Sequence, residues 1–227
     1  MASPFIIVFA AGDDEVNHQI ARQFAPRHPI AFLCPPSHNL AAAVRAAHAA
    51  GTEAVLFETD LSSVPSVQSS IAAAAAHFGA QSSAAAAAAI FQVRRTPSAP
   101  FLTQTSAQFR EETSAQVASA YAFAQGVMPL LTRGAGSGEF PATLAFVGCE
   151  GRSRSDAVVE GALVALSRSL GREYGKKYIH VAHLKFGKGS AAEGKVREGE
   201  ERDVRVAETL WHLYTQPLSC FANELTI

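Results

Sequence analysis

Short runs of continuous apolar residues alternate along this chain with longer stretches in which apolar residues recur at helical spacing. Phe5-Ile6-Ile7-Val8-Phe9-Ala10 is the first run. Its β-branched and aromatic side chains predict a strand covered on both faces. Gly12 breaks it, and Val16, Ile20 and Phe24 then mark a helix that Pro26 and Pro29 end. Further strands are expected at Ile30 to Cys34, Ala54 to Phe57, within Ala84 to Val93, at Ala142 to Cys149, at Ile179 to Lys185 and at Cys220 to Ile227. Helices are expected at Leu40 to Ala50, Val64 to Phe78, from Thr105 to about Leu131, from Ser153 to about Tyr174, and from Asp203 to Tyr214. Thr105 and Gln108 have capping-box spacing, and Ser153 with Asp156 has the same character. Regular strand–helix alternation with short links predicts an α/β fold, a doubly wound parallel sheet with helices on both faces. No repeat and no linker appears, so residues 1–227 are expected to form one domain.

Composition narrows the function more than the fold. The formal net charge is −1 and no basic stripe appears, which argues against nucleic acid as a partner. Lys195 to Arg205 mixes both signs and is read as a solvated loop. Cys34, Cys149 and Cys220 are far apart and lack metal-site spacing, as expected of reduced thiols in a cytoplasmic protein. No apolar stretch is long enough to predict a membrane span.

Three segments resemble the short-chain dehydrogenase/reductase superfamily: Pro100 to Leu131, Gly161 to Leu170, and Val206 to Leu213, with element order and spacing similar over the whole length. The resemblance implies a Rossmann-type sheet of about seven strands, an NAD(P) cofactor at its first turn, and a Tyr–Lys pair for proton transfer. It also implies pairing of two long helices across a two-fold axis.

Laid on that family pattern, the first turn reads Ala10-Ala11-Gly12-Asp13-Asp14-Glu15-Val16-Asn17. Glu15 and Asn17 stand where the second and third glycines belong, leaving Gly12 as the cofactor-turn candidate; Asp13 to Glu15 are read first as acids capping the start of the helix, stabilised by its dipole, and as the alternative as a charge that repels a pyrophosphate. The place of the ribose reader is Cys34-Pro35-Pro36, which supplies neither an acid nor a base. Asp60 is retained after the third strand, either near the adenine or as a helix cap. Phe91-Gln92-Val93-Arg94 replaces the family's glycine-containing stretch after strand four. Asp156 falls at the Tyr position and Glu160 at the Lys position; Gly148 or Cys149 falls at the family Ser, and Gln116 at the Asn. No catalytic role is assigned to these residues with the pattern so altered. Asp156 and Glu160 are four apart and share a helix face; such a pair is usually solvated, with a functional acid–base or cation site as the alternative.

These departures imply a relative without dehydrogenase activity, serving as a scaffold, binding or regulatory module with NAD(P) absent or weakly bound. The alternative is a divergent NAD(P)-dependent oxidoreductase acting on a small carbonyl or alcohol. A hydrolase or lyase built on Cys149, Asp156 and Glu160 ranks third. The cleft is expected to disfavour anions, and no metal is expected. A homodimer or homotetramer is expected through the helices at 106–131 and 155–174, whose small residues include Ala115, Ala118, Ala120, Ala122 and Ala124 on one and Ala157, Gly161, Ala162 and Ala165 on the other. Gly134-Ala135-Gly136-Ser137-Gly138 follows a helix and precedes a strand, the reverse of a phosphate turn, and is read as a connection. His180 and His183 are three apart on a strand and are expected to face opposite ways.

Overall fold

The computed structural model describes residues 3–12, 14–79, 84–94, 100–136, 138–149, 153–186 and 197–227. Among them, β1 (Phe5–Phe9), β2 (Ile30–Cys34), β3 (Ala54–Glu58), β4 (Ala86–Gln92), β5 (Ala142–Cys149), β6 (Ile179–Phe186) and β7 (Glu224–Thr226) form one sheet in the order β3-β2-β1-β4-β5-β6-β7. Every neighbouring pair is parallel; Val8, for example, is in register with Phe32 on one side and Ile90 on the other. The helices are α1 (Asp14–Phe24), α2 (Ala41–Ala49), α3 (Val64–Gly79), α4 (Ser106–Gly134), α5 (Arg154–Tyr174) and α6 (Arg197–Tyr214). A doubly wound parallel sheet is therefore present, as expected.

Strand pleating explains why β1 is apolar throughout. Phe5, Ile7 and Phe9 project into the layer formed with α3, α4 and α5, while Ile6 and Val8 project into the layer formed with α1, α2 and α6. In the first layer Phe9 packs on Phe91 at 4.4 Å between ring centroids and on Phe123 at 5.7 Å. The alanines of β4 let α4 come close: a Cβ on Gly134 would overlap the Ala86 carbonyl oxygen. Gly136 has φ +75°, a left-handed conformation that glycine adopts without strain. These two glycines of the Gly134–Gly138 segment thus serve the α4-to-β5 connection, as read from sequence; Ser137 lies outside the described residues.

Thr105 caps α4 with the expected reciprocal bonds. Gln108 N–H donates to Thr105 Oγ1 at 3.2 Å, and Thr105 N–H donates to Gln108 Oε1 at 2.9 Å. Ser153 caps α5 by accepting from Asp156 N–H at 3.0 Å. Two boundaries need correction: β7 begins at Glu224, not Cys220, and α6 begins at Arg197, not Asp203, so much of the charged stretch read as a loop is helix. The opening stretch of α6, Arg197 to Arg202, contains no apolar residue and so carries no periodicity to reveal it.

Two buried histidines brace the side of the sheet covered by α6. His28 Nδ1–H donates to the Pro4 carbonyl at 2.9 Å, and Tyr214 O–H donates to His28 Nε2 at 2.8 Å. His180 lies between the carbonyls of Leu213 at 2.9 Å and Ala222 at 3.0 Å and stacks on Phe221. Burial lowers the pKa of both rings from 6.5, with backbone contacts pulling partly back. A lowered folded pKa means that the unfolded chain takes up protons first as pH falls. The stability these rings confer is present above the unfolded value of 6.5 and is lost below it. Thermal unfolding midpoints are accordingly expected to drop as pH falls from about 7.5 to about 5. Substituting both rings, His28→Gln with His180→Gln, should flatten that drop; an unchanged slope would contradict the assignment.

Candidate functional site

Strand order reverses between β1 and β4, and ligands in open α/β sheets bind past the carboxyl ends of the strands at such a point. The turn leaving β1 is closed from within. Gly12 N–H donates to Gln92 Oε1 at 2.8 Å, and Gln92 Nε2–H donates to Asn17 Oδ1 at 2.8 Å. Gln92 and Asn17 are both buried, and a Cβ on Gly12 would overlap Gln92 Oε1. The space that Gly12 leaves open is thus occupied by the Gln92 amide. Sequence reading noted the loss of glycine after β4 but not that Gln92 would reach back to Gly12.

The acids of the turn do not crowd it. Glu15 points along the exposed side of α1, where Gln19 Nε2–H donates to it at 2.6 Å. Asp14 is turned to the loop after β2: Asn39 N–H donates to Oδ2 at 3.1 Å, and His38 Nδ1 lies 3.0 Å from Oδ1. Asp13 lies outside the described residues. Of the two glycine replacements, only Asn17 takes part in closing the turn.

At the end of β2, burial first, then the charges of Glu58 and Asp14, push the Cys34 thiol up to about 11, leaving it inert at neutral pH. Asp60 is exposed and spends one oxygen on its own turn, accepting from Ser62 N–H at 2.9 Å and Ser62 Oγ–H at 2.6 Å. Those two bonds hold its carboxyl below the usual range. Asp60 therefore stands as a local turn brace ahead of α3.

The α5 pair overturns one expectation. Asp156 and Glu160 are 3% and 8% exposed, so they are no solvated face. Glu160 lies against Gly148 of β5, where any Cβ would overlap its carboxylate, and Glu160 Oε1 is 3.3 Å from Nε2 of the fully buried His183 on β6. His183 and His180 do face opposite sides of the sheet, as expected. The Glu160–His183 contact was not foreseen: a histidine on the α5 face of β6 was the available signal. Gln116 is buried on α4 without a hydrogen-bond partner for either amide atom among the described residues. The Cys149 side chain lies outside the described residues, so the Cys149–Asp156–Glu160 grouping has no geometry to report. Among the described residues no cluster of three or more His, Cys, Asp and Glu could hold a metal.

A second unforeseen network ties the entry of α4 to α5. Ser155 Oγ–H donates to Glu112 Oε2 at 2.5 Å, and Gln104 Nε2–H reaches Glu112 Oε2 at 2.9 Å and Ser155 Oγ at 3.2 Å.

Between these elements a cleft of about 210 Å³ remains open. Val16, Val93, Val147 and Phe186 supply its apolar walls, and His38 and Arg94 its cationic or polar edge. Arg94 makes no hydrogen bond or ion pair among the described residues and is exposed. The carboxylates of Asp156 and Glu160 lie on the α5 side, whereas Arg94 places a guanidinium at the β1–β4 end of the cleft.

A family model described as enoyl-(acyl carrier protein) reductase matches residues 10–188. No curated protein sequence matches the chain significantly. Solved structures match over nearly the whole chain. A short-chain dehydrogenase from Rhodopseudomonas palustris has a TM-score of 0.79 at 24% identity, covering 99% of this chain and 98% of its own. A dehydrogenase/reductase from Sinorhizobium meliloti has a TM-score of 0.79 at 18% identity, covering 100% and 94%. NADH-dependent reductase A1-R′ complexed with NAD has a TM-score of 0.80 at 12% identity, covering 99% and 95%. With its sheet order, its switch-point cleft and the family match over most of its length, the chain belongs to the short-chain dehydrogenase/reductase superfamily.

Proposed function

We propose that this superfamily member is a binding module without dehydrogenase activity, in which NAD(P) binds weakly or not at all. The observation that carries the reading is the Gly12–Gln92–Asn17 chain of hydrogen bonds. A pyrophosphate needs free backbone N–H groups and room at a helix N-terminus. Here the Gly12 N–H is already paired and the room is filled. Glu160 supports the same reading, because a carboxylate at the lysine position cannot hold a proton donor in its ionised form by positive charge. The alternative, a divergent NAD(P)-dependent oxidoreductase, draws on the likeness to a reductase complexed with NAD and on the open cleft. Titration of purified protein with NADPH, followed by fluorescence, separates the two. The binding-module reading expects no saturable change at micromolar concentration; a low-micromolar dissociation constant would reject it.

The same reading includes self-association through α4 and α5. Tyr121 and Val158 are 58% and 49% exposed, and Ala118, Ala157, Gly161 and Ala165 are exposed beside them in the helix pattern. Ala120, Ala122 and Ala124 are instead buried within the chain and leave that surface. Small exposed residues permit close helix approach, so sedimentation should show a dimer or tetramer. A 23.9 kDa monomer at micromolar concentration would refute the association. A cytoplasmic location fits the unpaired thiols of Cys34 and Cys220. Among the described residues no helix is long and apolar enough to cross a membrane.

A further inference from the structure

We propose that the cleft between β1 and β4 binds a small carboxylate with an apolar body, held through its carboxylate by Arg94. The inference deepens the reading above and rests on it, since a bound dinucleotide would compete for the same cleft.

Arg94 is the first ground. It stands where strand β4 gives way to its loop, lines the cleft, and has no hydrogen-bond or ion-pair partner among the described residues. Asp60 interacts with it electrostatically but makes no ion pair with it among the described residues, and one Asp60 oxygen is held by Ser62. A guanidinium left unpaired beside an apolar cavity matches a planar carboxylate through two parallel bonds. His38 is the second ground. Its ring lines the same cleft, with Asp14 Oδ1 3.0 Å from Nδ1, and gives that edge a polar surface beside the apolar walls.

Size and charge then select the ligand class. The cavity, about 210 Å³, is smaller than the ~300–1,000 Å³ of drug-sized sites, so it suits a metabolite-sized molecule. Val16, Val93, Val147 and Phe186 require that molecule to carry an apolar part. A phosphate dianion fits poorly, because the Gly12 N–H that would meet it is spent on Gln92. A monoanion with one Arg partner does not need that amide.

Binding of benzoate and hexanoate, each followed by amide shifts in 1H–15N spectra, tests the site against benzyl alcohol, benzylamine, orthophosphate and NADPH. The carboxylates should shift the amides of Gly12, Val93 and Gly148. Arg94→Gln should weaken them by roughly 10- to 100-fold. Because Arg94 is exposed and unpaired, Arg94→Gln should keep the wild-type unfolding midpoint, so the loss reads on binding. Four results would overturn the site: no carboxylate response at about 10 mM, equal binding of benzylamine, preference for orthophosphate, or carboxylate binding indifferent to Arg94→Gln. Tight NADPH binding by the wild type would instead sink the reading beneath it, whereas silence toward both NADPH and carboxylates would sink this inference alone.

Discussion

Replacing Glu160 with lysine is expected to destabilise the fold by about 3–5 kcal/mol, the cost of leaving an uncompensated charge in a buried place. In the superfamily pattern this substitution restores a lysine to its usual place. Here the surroundings have been rebuilt around a carboxylate. Gly148 has no Cβ, and the Glu160 carboxylate lies against it. His183, fully buried, sits 3.3 Å away on β6. A lysine would bring an ammonium to a buried imidazole in place of its acidic neighbour and would have to fit a longer side chain into a filled space. Glu160→Gln keeps the shape and a hydrogen-bonding group and should cost less. Urea unfolding of the two variants measures the difference. A lysine variant within about 1 kcal/mol of wild type would show that the pocket is adaptable and that Glu160 is not built in. It follows that Asp156→Tyr with Glu160→Lys should yield no alcohol oxidation above background.

How far the sequence discloses such a site depends on which interactions leave a local trace. The strands are legible because two covered faces demand continuous apolar runs, as at β1 and β2, whose Ile30–Cys34 bounds agree with expectation. The Thr105 cap is legible because both its bonds join residues three apart. The start of α6 is not, since Arg197 to Arg202 contains no apolar residue whose spacing could mark a helix. The site residues divide in the same way. Loss of glycine at Asn17 and of lysine at Glu160 is readable by position. What those residues do instead depends on partners distant in sequence: Gln92 is 75 residues from Asn17, and His183 faces Glu160 across the α5–β6 connection. Glu15 shows the limit most plainly, because its position in the turn suggests blockage while its side chain lies along α1.

Opening the first turn therefore requires Gln92 and Asn17, not Glu15. The paired substitution Gln92→Ala with Asn17→Gly should raise NADPH affinity by about tenfold or more, each tenfold being about 1.4 kcal/mol. Gln92→Ala frees the Gly12 N–H and the space above it. Made alone, it would leave the buried Asn17 without the Gln92 amide, at a cost to stability of about 1–3 kcal/mol if no other group takes over. Asn17→Gly removes that side chain and restores the family residue at the same time, though a glycine inside α1 costs about 1 kcal/mol of helix stability. Glu15→Gly should leave affinity nearly unchanged, since its carboxylate already lies on the outer surface of the helix. The gain should appear as binding without hydride transfer, because Asp156 and Glu160 remain. Fluorescence titration of the four proteins, wild type included, ranks the contributions. If Glu15→Gly alone produced the gain, charge in the turn would be the obstacle; if the paired variant bound no better than wild type while still folded, the Gln92 closure would not be what keeps the dinucleotide out.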